Sequence, residues 1–373
     1  MRKVMTVVGT RPELIKLSLV LREMDRHFTH TLVHTGQNYD YELNEIFFKD
    51  LQIRKPDFFL NAASTTAIET IAKVLVEGDR LLAEQNPEAL LIYGDTNSGL
   101  LCLAAKKRRI PIFHMEAGNR CFDQRVPEES NRKIIDHLSD INMTLTEHAR
   151  RYLLDEGLRP ERIIKTGSCM TDVLREFAPQ IAQSSILAQL DLKPQSYFLV
   201  SAHREENVDH PESLTELIES LQSLVKKYQK RVIFSVHPRT QKKLGNPHTR
   251  DATITFMKPL GFFDYIQLQQ QACCVLSDSG TLTEESSILG FPAVMIRDAH
   301  ERPEGSDTGV IMSSRIDRDR ILEAVALVIK QQETFSPQQH RIADYEHQGV
   351  AETVVRVIAS NLDLINREVW KRF

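Results

Sequence analysis

One stretch of the sequence concentrates side chains that could move protons. HMEAGNRCFDQRVPEESNR, residues 114–132, contains Glu116, Glu128 and Glu129. It follows an apolar run, residues 110–113, that is typical of a buried strand. Because open α/β folds bind ligands where their strands end, the pattern predicts an acid/base site at this point of the chain.

Three other segments place a titratable side chain just after a predicted strand. Asp95 follows the strand at 89–93, although Asp95 or Thr96 could equally be a plain helix N-cap. His203 and His237 follow strands in the second half, and each lies close to an arginine. A lone histidine is more often structural than catalytic, but two at equivalent positions favour a role in the site.

Two predicted helix starts have features of a phosphate site. The first strand ends near Gly9, and the following helix carries Arg11 and Lys16 close to its N-terminus, where an anion is favoured. A solvated helix start explains the same residues equally well. Arg302 supplies a further cation after a later strand.

The second helix start is SDSGTLTEE, residues 277–285. Its small residues would let backbone N–H groups approach an anion; they are Ser279, Gly280 and Thr281. Glu285 lies about one turn into the helix, where it could accept hydrogen bonds from a ribose. The structural alternative is a capping box formed by Thr281 and Glu284, and both interpretations can hold together.

Composition and missing motifs argue against several classes of function. The net charge is -4, with 26% charged and 41% hydrophobic residues, so nothing predicts binding to nucleic acid or to a membrane. No G-x-G-x-x-G follows the first strand, which argues against a nicotinamide cofactor. Five scattered cysteines favour reduced thiols in the cytoplasm, and no ligand spacing indicates a metal. The apolar start ends at Gly9, too early for an export signal.

The elements that must position these residues alternate between strand and helix as far as about residue 330, the pattern of parallel α/β sheets. A chain of 373 residues suits two domains. The alternation loosens around residues 171–193, so we place an N-terminal domain at 1–178 and a C-terminal domain at 179–350. Apolar residues at helical spacing in 351–373 predict a helix that packs back on the first domain.

Eight ordered motifs resemble those of the non-hydrolysing UDP-N-acetylglucosamine 2-epimerase family, across nearly the whole chain. They are GTRPELIK, YGDTN, HMEAGNR, PEESNRK, SAHREEN, VHPRT, SDSGTLTEE and RDAHERPEG. The resemblance implies two Rossmann-like doubly wound domains in the glycosyltransferase-B arrangement, with a UDP-sugar in the cleft between them. It also implies a homodimer.

Within that family, three segments are closest to one subfamily. They are residues 119–127, 37–40 and 201–207, which depart from the glucosamine enzymes. They resemble the enzymes that make UDP-N-acetyl-L-fucosamine by inverting C2 of UDP-2-acetamido-2,6-dideoxy-L-talose. The alternatives are interconversion of UDP-GlcNAc and UDP-ManNAc, or a UDP-sugar glycosyltransferase of the same fold.

The chemistry of such an inversion constrains the residues. C2 of an amino sugar has no adjacent carbonyl, so direct deprotonation is too unfavourable, and without a dinucleotide motif the remaining route is loss of UDP from C1 to give a glycal. UDP adds back after reprotonation on the other face. This path needs at least two acid/base groups and cations on the departing phosphates.

By this logic and by motif match, the proton-transfer residues are Asp95, Glu116 and Glu128, with His203 supporting the leaving group or the sugar. The predicted substrate-binding residues are Arg11, Lys16, Arg120, His237, Ser279, Gly280, Thr281, Glu285 and Arg302. Glu129, Arg132 and Asp136 are expected to form a supporting network. A non-covalent elimination needs no nucleophile from the protein, so Cys121 is not assigned a nucleophilic role.

Overall fold

The computed structural model describes the chain apart from residues 37–46, 203, 205–206, 208–210, 237–252, 298–299, 333, 336–338 and 373. Two predicted site residues, His203 and His237, lie outside the described residues. The chain forms two compact units, Met1–Arg175 with Glu346–Phe373, and Glu176–Tyr345. The sequence-based boundaries were residues 178 and 350.

The first unit is built on a seven-stranded sheet in which every pairing is parallel. Its strands are β1 Lys3–Val8, β2 Thr29–His34, β3 Phe58–Phe59, β4 Ala89–Tyr93, β5 Ile112–Ala117, β6 Ile141–Thr144 and β7 Ile163–Lys165, in the order β3-β2-β1-β4-β5-β6-β7. Its helices are α1 Arg11–His27, α2 Ala67–Gln85, α3 Cys102–Lys107, α4 Glu128–Leu138, α5 Glu147–Asp155 and α6 Cys169–Glu176.

The strand order reverses between β1 and β4. In doubly wound sheets, ligands bind in the crevice at this switch point, outside the carboxyl ends of the strands. The segments that leave these two strands begin at Gly9 and Gly94. All five residues of β4 are buried, because helices cover both faces of a parallel sheet.

β5 extends further than the sequence indicated. The apolar run that predicted this strand ends at residue 113, before the charged residues, whereas pairing with β6 continues to Ala117 across an irregularity between Met115 and Ala117. At this irregularity Glu116 has a positive φ of 62°. Glu116 is therefore held by the sheet itself and not by a loop.

The second unit has a six-stranded sheet, again with parallel pairings only. Its strands are β8 Tyr197–Ala202, β9 Arg231–Val236, β10 Ile254–Met257, β11 Cys274–Ser277, β12 Ala293–Ile296 and β13 Met312–Ser314, in the order β10-β9-β8-β11-β12-β13. Its helices are α7 Ala178–Ala182, α8 Ile186–Gln189, α9 Pro211–Tyr228, α10 Phe262–Gln271, α11 Thr281–Leu289, α12 Pro303–Thr308 and α13 Arg318–Gln331. Alternate residues of β8 enter two separate apolar cores, so this sheet is covered on both faces.

The last helix, α14 Val350–Glu368, belongs to the first unit and packs against α1. Its N-terminus is held from a distant part of the sequence, because the Asp172 carboxylate accepts hydrogen bonds from the N–H groups of Gly349 at 3.2 Å and Val350 at 2.8 Å. Among the described helices, none combines the length and apolarity needed to cross a bilayer.

Candidate active site

Asp95 lies in the turn that leaves β4 at the switch point. Gly94 allows this turn because it adopts a left-handed φ of 68°. Arg132 Nε donates to Asp95 Oδ2 at 2.7 Å, and Asn131 donates to the Asp95 backbone oxygen at 2.9 Å. The Asp95 side chain retains 30% exposure. It is therefore oriented by a cation and still accessible to a ligand.

Glu116 lies at the end of the neighbouring strand. Lys16 Nζ is 3.0 and 3.1 Å from its two carboxylate oxygens, and Asn119 donates to Oε1 at 3.3 Å. A Cβ atom on Gly94 would lie 3.9 Å from Glu116 Oε2, which places the Asp95 turn beside this carboxylate. The turn that contains Asp95 therefore lies beside the Glu116 carboxylate, and each of the two acids is paired with its own cation.

Glu128 is the first residue of α4 and is partly exposed. Asn131 and Arg132, one turn further along the same helix, are the residues that contact Asp95. One turn of helix advances about 5.4 Å, so the start of α4 lies close to Asp95. All three predicted proton-transfer carboxylates thus lie at the same end of the first sheet.

Arg132 and Glu129 form part of the predicted supporting network. Arg132 Nη1 donates to Glu129 Oε2 at 2.7 Å, and both side chains are almost fully buried. Burial opposes ionisation of Glu129, but hydrogen bonds from Cys121 and the charge of Arg132 lower its pKa. Burial raises the pKa of the Cys121 thiol, and the neighbouring Glu129 adds to that effect. A thiol held in its protonated form is a poor nucleophile.

The predictions from sequence gave no role to Glu13, a buried residue on α1. Its carboxylate accepts hydrogen bonds from the N–H groups of Gly9 and Thr10 and, at 2.6 Å, from the Thr96 hydroxyl. Burial raises the pKa of Glu13 to about 7 against these hydrogen bonds, and the charge of Asp95 adds to the rise. Glu13 therefore joins the turn after β1 to the turn after β4. The spacing of Thr10 and Glu13, that of a capping box, could have indicated it.

The two cations predicted to bind phosphate at the start of α1 differ in their surroundings. Lys16 is 5% exposed and neutralises Glu116. Arg11 is partly exposed, and its guanidinium lies 5.6 Å from the centre of the Phe47 ring. Of the two, Arg11 is the one placed to meet a ligand from solvent.

Arg120 was predicted to bind substrate, and the structure assigns it elsewhere. Its side chain has no exposed surface. Nη1 donates to Asp136 and to the Asn119 backbone oxygen, while Nε and Nη2 form a bidentate pair with Glu156 at 2.7 Å. The prediction is corrected because buried acidic partners occupy the guanidinium. Sequence spacing could not indicate this, since Glu156 lies 36 residues away.

The start of α11 in the second unit contains the predicted phosphate segment. Ser279 and Thr281 share a hydrogen bond of 3.0 Å between their hydroxyls. A Cβ on Gly280 would come within 2.3 Å of Glu301 Oε1, so a side chain would not fit there without movement. The predicted capping box is wrong: Gly280 is the N-cap residue, and no side chain caps the helix.

Glu284 and Glu285 on α11 face different partners. Glu284 pairs with Arg302 at 2.8 Å, and both side chains are buried. Gln269 donates to Glu285 Oε2 at 2.6 Å, and Glu285 is 7% exposed. The roles of Glu285 and Arg302 in binding ribose and diphosphate stay predictions.

Comparison with known proteins decides the family. The family described as UDP-N-acetylglucosamine 2-epimerase matches residues 22–359. The chain belongs to this family. The membership predicted from the eight motifs is confirmed, and so is the prediction that the chain is an enzyme, an epimerase.

Similar proteins cover the chain almost completely. A UDP-N-acetylglucosamine 2-epimerase from Rickettsia bellii is 51% identical, with 100% of both chains covered and a TM-score of 0.92. The Methanocaldococcus jannaschii UDP-GlcNAc 2-epimerase, solved in complex with UDP-GlcNAc and UDP, is 31% identical, with 96% and 99% covered and a TM-score of 0.89. A UDP-2,3-diacetamido-2,3-dideoxy-D-glucuronate 2-epimerase from Pseudomonas aeruginosa is 34% identical over 330 residues, 86% of this chain and 91% of the relative. These similarities confirm the predicted fold class, two Rossmann-like α/β domains of the glycosyltransferase-B type.

Proposed function

We propose that this enzyme inverts C2 of a UDP-2-acetamido sugar by eliminating UDP and adding it back. One observation carries the proposal: two carboxylates, Asp95 and Glu116, lie at the carboxyl ends of neighbouring parallel strands, each oriented by its own buried cation. Inversion at carbon requires two proton-transfer groups, one to remove the proton and one to return it on the opposite face.

The proposed reaction balances without a cofactor. The C1–O bond breaks and its electron pair leaves with UDP, while a carboxylate takes the C2 proton, which leaves a double bond between C1 and C2. A second acid then protonates C2 from the other face, and the diphosphate oxygen attacks C1 again. Positioned acid/base groups of this kind contribute about 10² to 10⁴ in rate.

We assign proton transfer to Asp95, Glu116 and Glu128, and support of the sugar or leaving group to His203. The UDP half of the substrate is assigned to helix starts and cations, which favour anions. These residues are Arg11, Lys16, His237, Ser279, Gly280, Thr281 and Arg302, with Glu285 on the ribose. Lys16 would serve both the diphosphate and Glu116, because it already forms an ion pair with Glu116.

For the sugar, we propose UDP-2-acetamido-2,6-dideoxy-L-talose, converted to UDP-N-acetyl-L-fucosamine. The support is the amino-acid sequence of residues 119–127 and 201–207, which departs from that of the glucosamine enzymes. The second candidate is UDP-GlcNAc, favoured by the name of the Rickettsia bellii relative at 51% identity. The relative from Pseudomonas aeruginosa acts, by its name, on a third sugar, so the family name alone does not select among them.

A single NMR experiment tests both the reaction and the substrate. The enzyme is incubated in deuterated water with each UDP-sugar alone, and then with both in competition. Epimerisation by elimination places solvent deuterium at C2 of substrate and product. A glycosyltransferase leaves C2 unlabelled without an acceptor, and irreversible release of free sugar would indicate hydrolysis; either result contradicts the proposal. Preference for UDP-GlcNAc would overturn only the choice of sugar.

We also propose that the enzyme is a homodimer that uses the outer face of α2. Ile68 is 74% exposed and Val76 is 52% exposed on this helix, and Leu103 on the adjoining α3 is 42% exposed. Ile68, Ala72 and Val76 are spaced four residues apart, so they line one face of the helix. Clustered exposed apolar side chains commonly mark an interface.

A further inference from the structure

A chain of hydrogen-bonded side chains lies near Asp95 and Glu116 and has no role in the proposed reaction. It runs from His114 on β5 through Asp136 on α4 to Arg120 and then to Glu156. His114, Asp136 and Arg120 have side-chain exposures of 2%, 0% and 0%, and Glu156 has 25%. Buried polar and charged groups are unfavourable unless they are paired. These pairings therefore restrict the positions of the backbone groups that the side chains contact.

Both ring nitrogens of His114 have a hydrogen-bond partner on another element. Nε2 lies 2.8 Å from the carbonyl oxygen of Gly94, at the end of β4. Nδ1 lies 2.9 Å from Asp136 Oδ1 on α4. Asp136 also accepts hydrogen bonds from Arg120 at 2.7 Å and from Gly118 N–H at 3.2 Å. The buried ring therefore links the end of β4 to the carboxylate of Asp136.

The groups held by this chain flank the candidate catalytic residues. His114 fixes the carbonyl of Gly94, which directly precedes Asp95. Asp136 fixes the N–H of Gly118, two residues after Glu116. Glu116 itself has a φ of 62°, a conformation that a non-glycine residue keeps only where its surroundings enforce it.

We propose that His114 is a positioning residue whose ring connects the end of β4 to the end of β5 through Gly94 and Asp136. It keeps Asp95 and Glu116 at a fixed separation and does not touch the substrate. The positioning role rests on the proposed function of these two carboxylates, whereas the hydrogen bonds of the ring do not.

Two substitutions separate the two hydrogen bonds. His114→Gln can place its amide near the position of Nε2 and retain the bond to Gly94, and His114→Asn can place its amide near Nδ1 and retain the bond to Asp136. Each is expected to lower kcat about 10²-fold with KM changed by less than about threefold, because small misplacements of reacting groups cost about that much. The matched control is His137→Asn, since His137 is 47% exposed and contacts only the outer member of the chain, Glu156, at 3.1 Å. It should retain kcat.

A second measurement is independent of activity and uses the wild-type enzyme labelled with ¹⁵N-histidine. A ring N–H held in a buried hydrogen bond exchanges slowly with solvent, so His114 should retain a ring N–H signal in deuterated water after those of exposed histidines have disappeared. The signal is assigned by its loss in either variant, or by backbone connectivity if neither variant folds. A His114 ring with no protected N–H would overturn the proposal, as would variants with unchanged kcat. If the wild type labels no UDP-sugar at C2, the proposed function fails, and the NMR spectrum still decides whether the ring holds its buried hydrogen bonds.

Discussion

At the residue scale, the two central carboxylates of the candidate site are paired with different cations. Arg132 on α4 pairs with Asp95, and Lys16 on α1 pairs with Glu116. The exposed fractions differ, 30% for Asp95 against 13% for Glu116. Two acid/base groups in unequal environments are suited to removing a proton on one face and returning it on the other.

The first prediction concerns these carboxylates. Asp95→Asn and Glu128→Gln should each lower deuterium exchange at C2 by at least about 10²-fold, because an amide cannot accept the proton. Binding of the UDP-sugar, measured by calorimetry, should survive in both. Glu84→Gln, an exposed residue near the end of α2, is the control and should exchange at the wild-type rate. Normal exchange in both variants would remove these residues from the mechanism.

The second prediction concerns Glu13 and pH. Its pKa is raised from 4.5 to about 7, so the folded protein binds this proton more tightly than the unfolded chain. The stability that this provides is complete below about pH 4.5 and is lost as the pH rises through 7, a change of about 3 kcal/mol.

Glu13→Gln lacks this titration. The free energy of unfolding of the wild type, measured by urea denaturation, should therefore fall relative to that of the variant between about pH 4.5 and 8. Parallel stability curves for the two proteins would show that Glu13 does not titrate in this range.

At the element scale, the site residues that the structure describes lie at strand ends and helix starts. The start of α4 contributes Asn131 and Arg132 to Asp95, and the last residues of β5 contribute Glu116. The C-terminal helix α14 packs against α1, which carries Lys16 and Glu13, so a helix far from the site in sequence supports it.

The third prediction tests how α14 is held. Asp172→Ala removes the carboxylate that accepts from Gly349 and Val350, and it should lower the free energy of unfolding by about 1 to 2 kcal/mol. Glu352→Ala, which removes an exposed charge from the first turn of the same helix, should cost less than about 1 kcal/mol. Urea denaturation measures both. Equal losses would mean that Asp172 acts by its charge alone.

At the scale of the whole molecule, each unit has its own parallel sheet and its own switch point. The candidate acid/base residues lie after β4, at the end of β5 and at the start of α4. The segment after β11 holds predicted phosphate-binding residues of the second unit. The proposed homodimer also belongs to this scale. The apolar surface proposed for its interface extends over two helices, α2 and α3.

The fourth prediction tests that surface. Val76→Glu combined with Ile68→Glu should convert the dimer to a monomer, because a charge buried at an interface is strongly unfavourable. Light scattering after gel filtration measures the mass. Leu327→Glu on α13, another exposed apolar position at 42%, is the matched control and should leave the mass unchanged. A wild-type monomer would contradict the proposed homodimer.

Much of the fold could be predicted from the sequence because the signals are local. The alternation of strands and helices predicted parallel α/β sheets, and the strand expected at residues 89–93 has the same bounds in the structure, as β4. Prediction failed where a contact between distant residues decided the outcome. β5 continues past its charged residue because β6 pairs with it. The capping box expected at α11 is absent because the helix begins one residue earlier than that box requires, with Gly280 as its N-cap residue.

The sequence by itself determined the order of the elements, the family and the three candidate carboxylates, since periodicity and motif spacing are properties of neighbouring residues. Only the tertiary structure decided which charges meet. Lys16 pairs with Glu116, 100 residues away in the sequence, and the buried side chain of Arg120 pairs with Asp136 and Glu156. Those pairings depend on strand order, which brings the ends of β1, β4 and β5 to one edge of the sheet and cannot be read from any single segment.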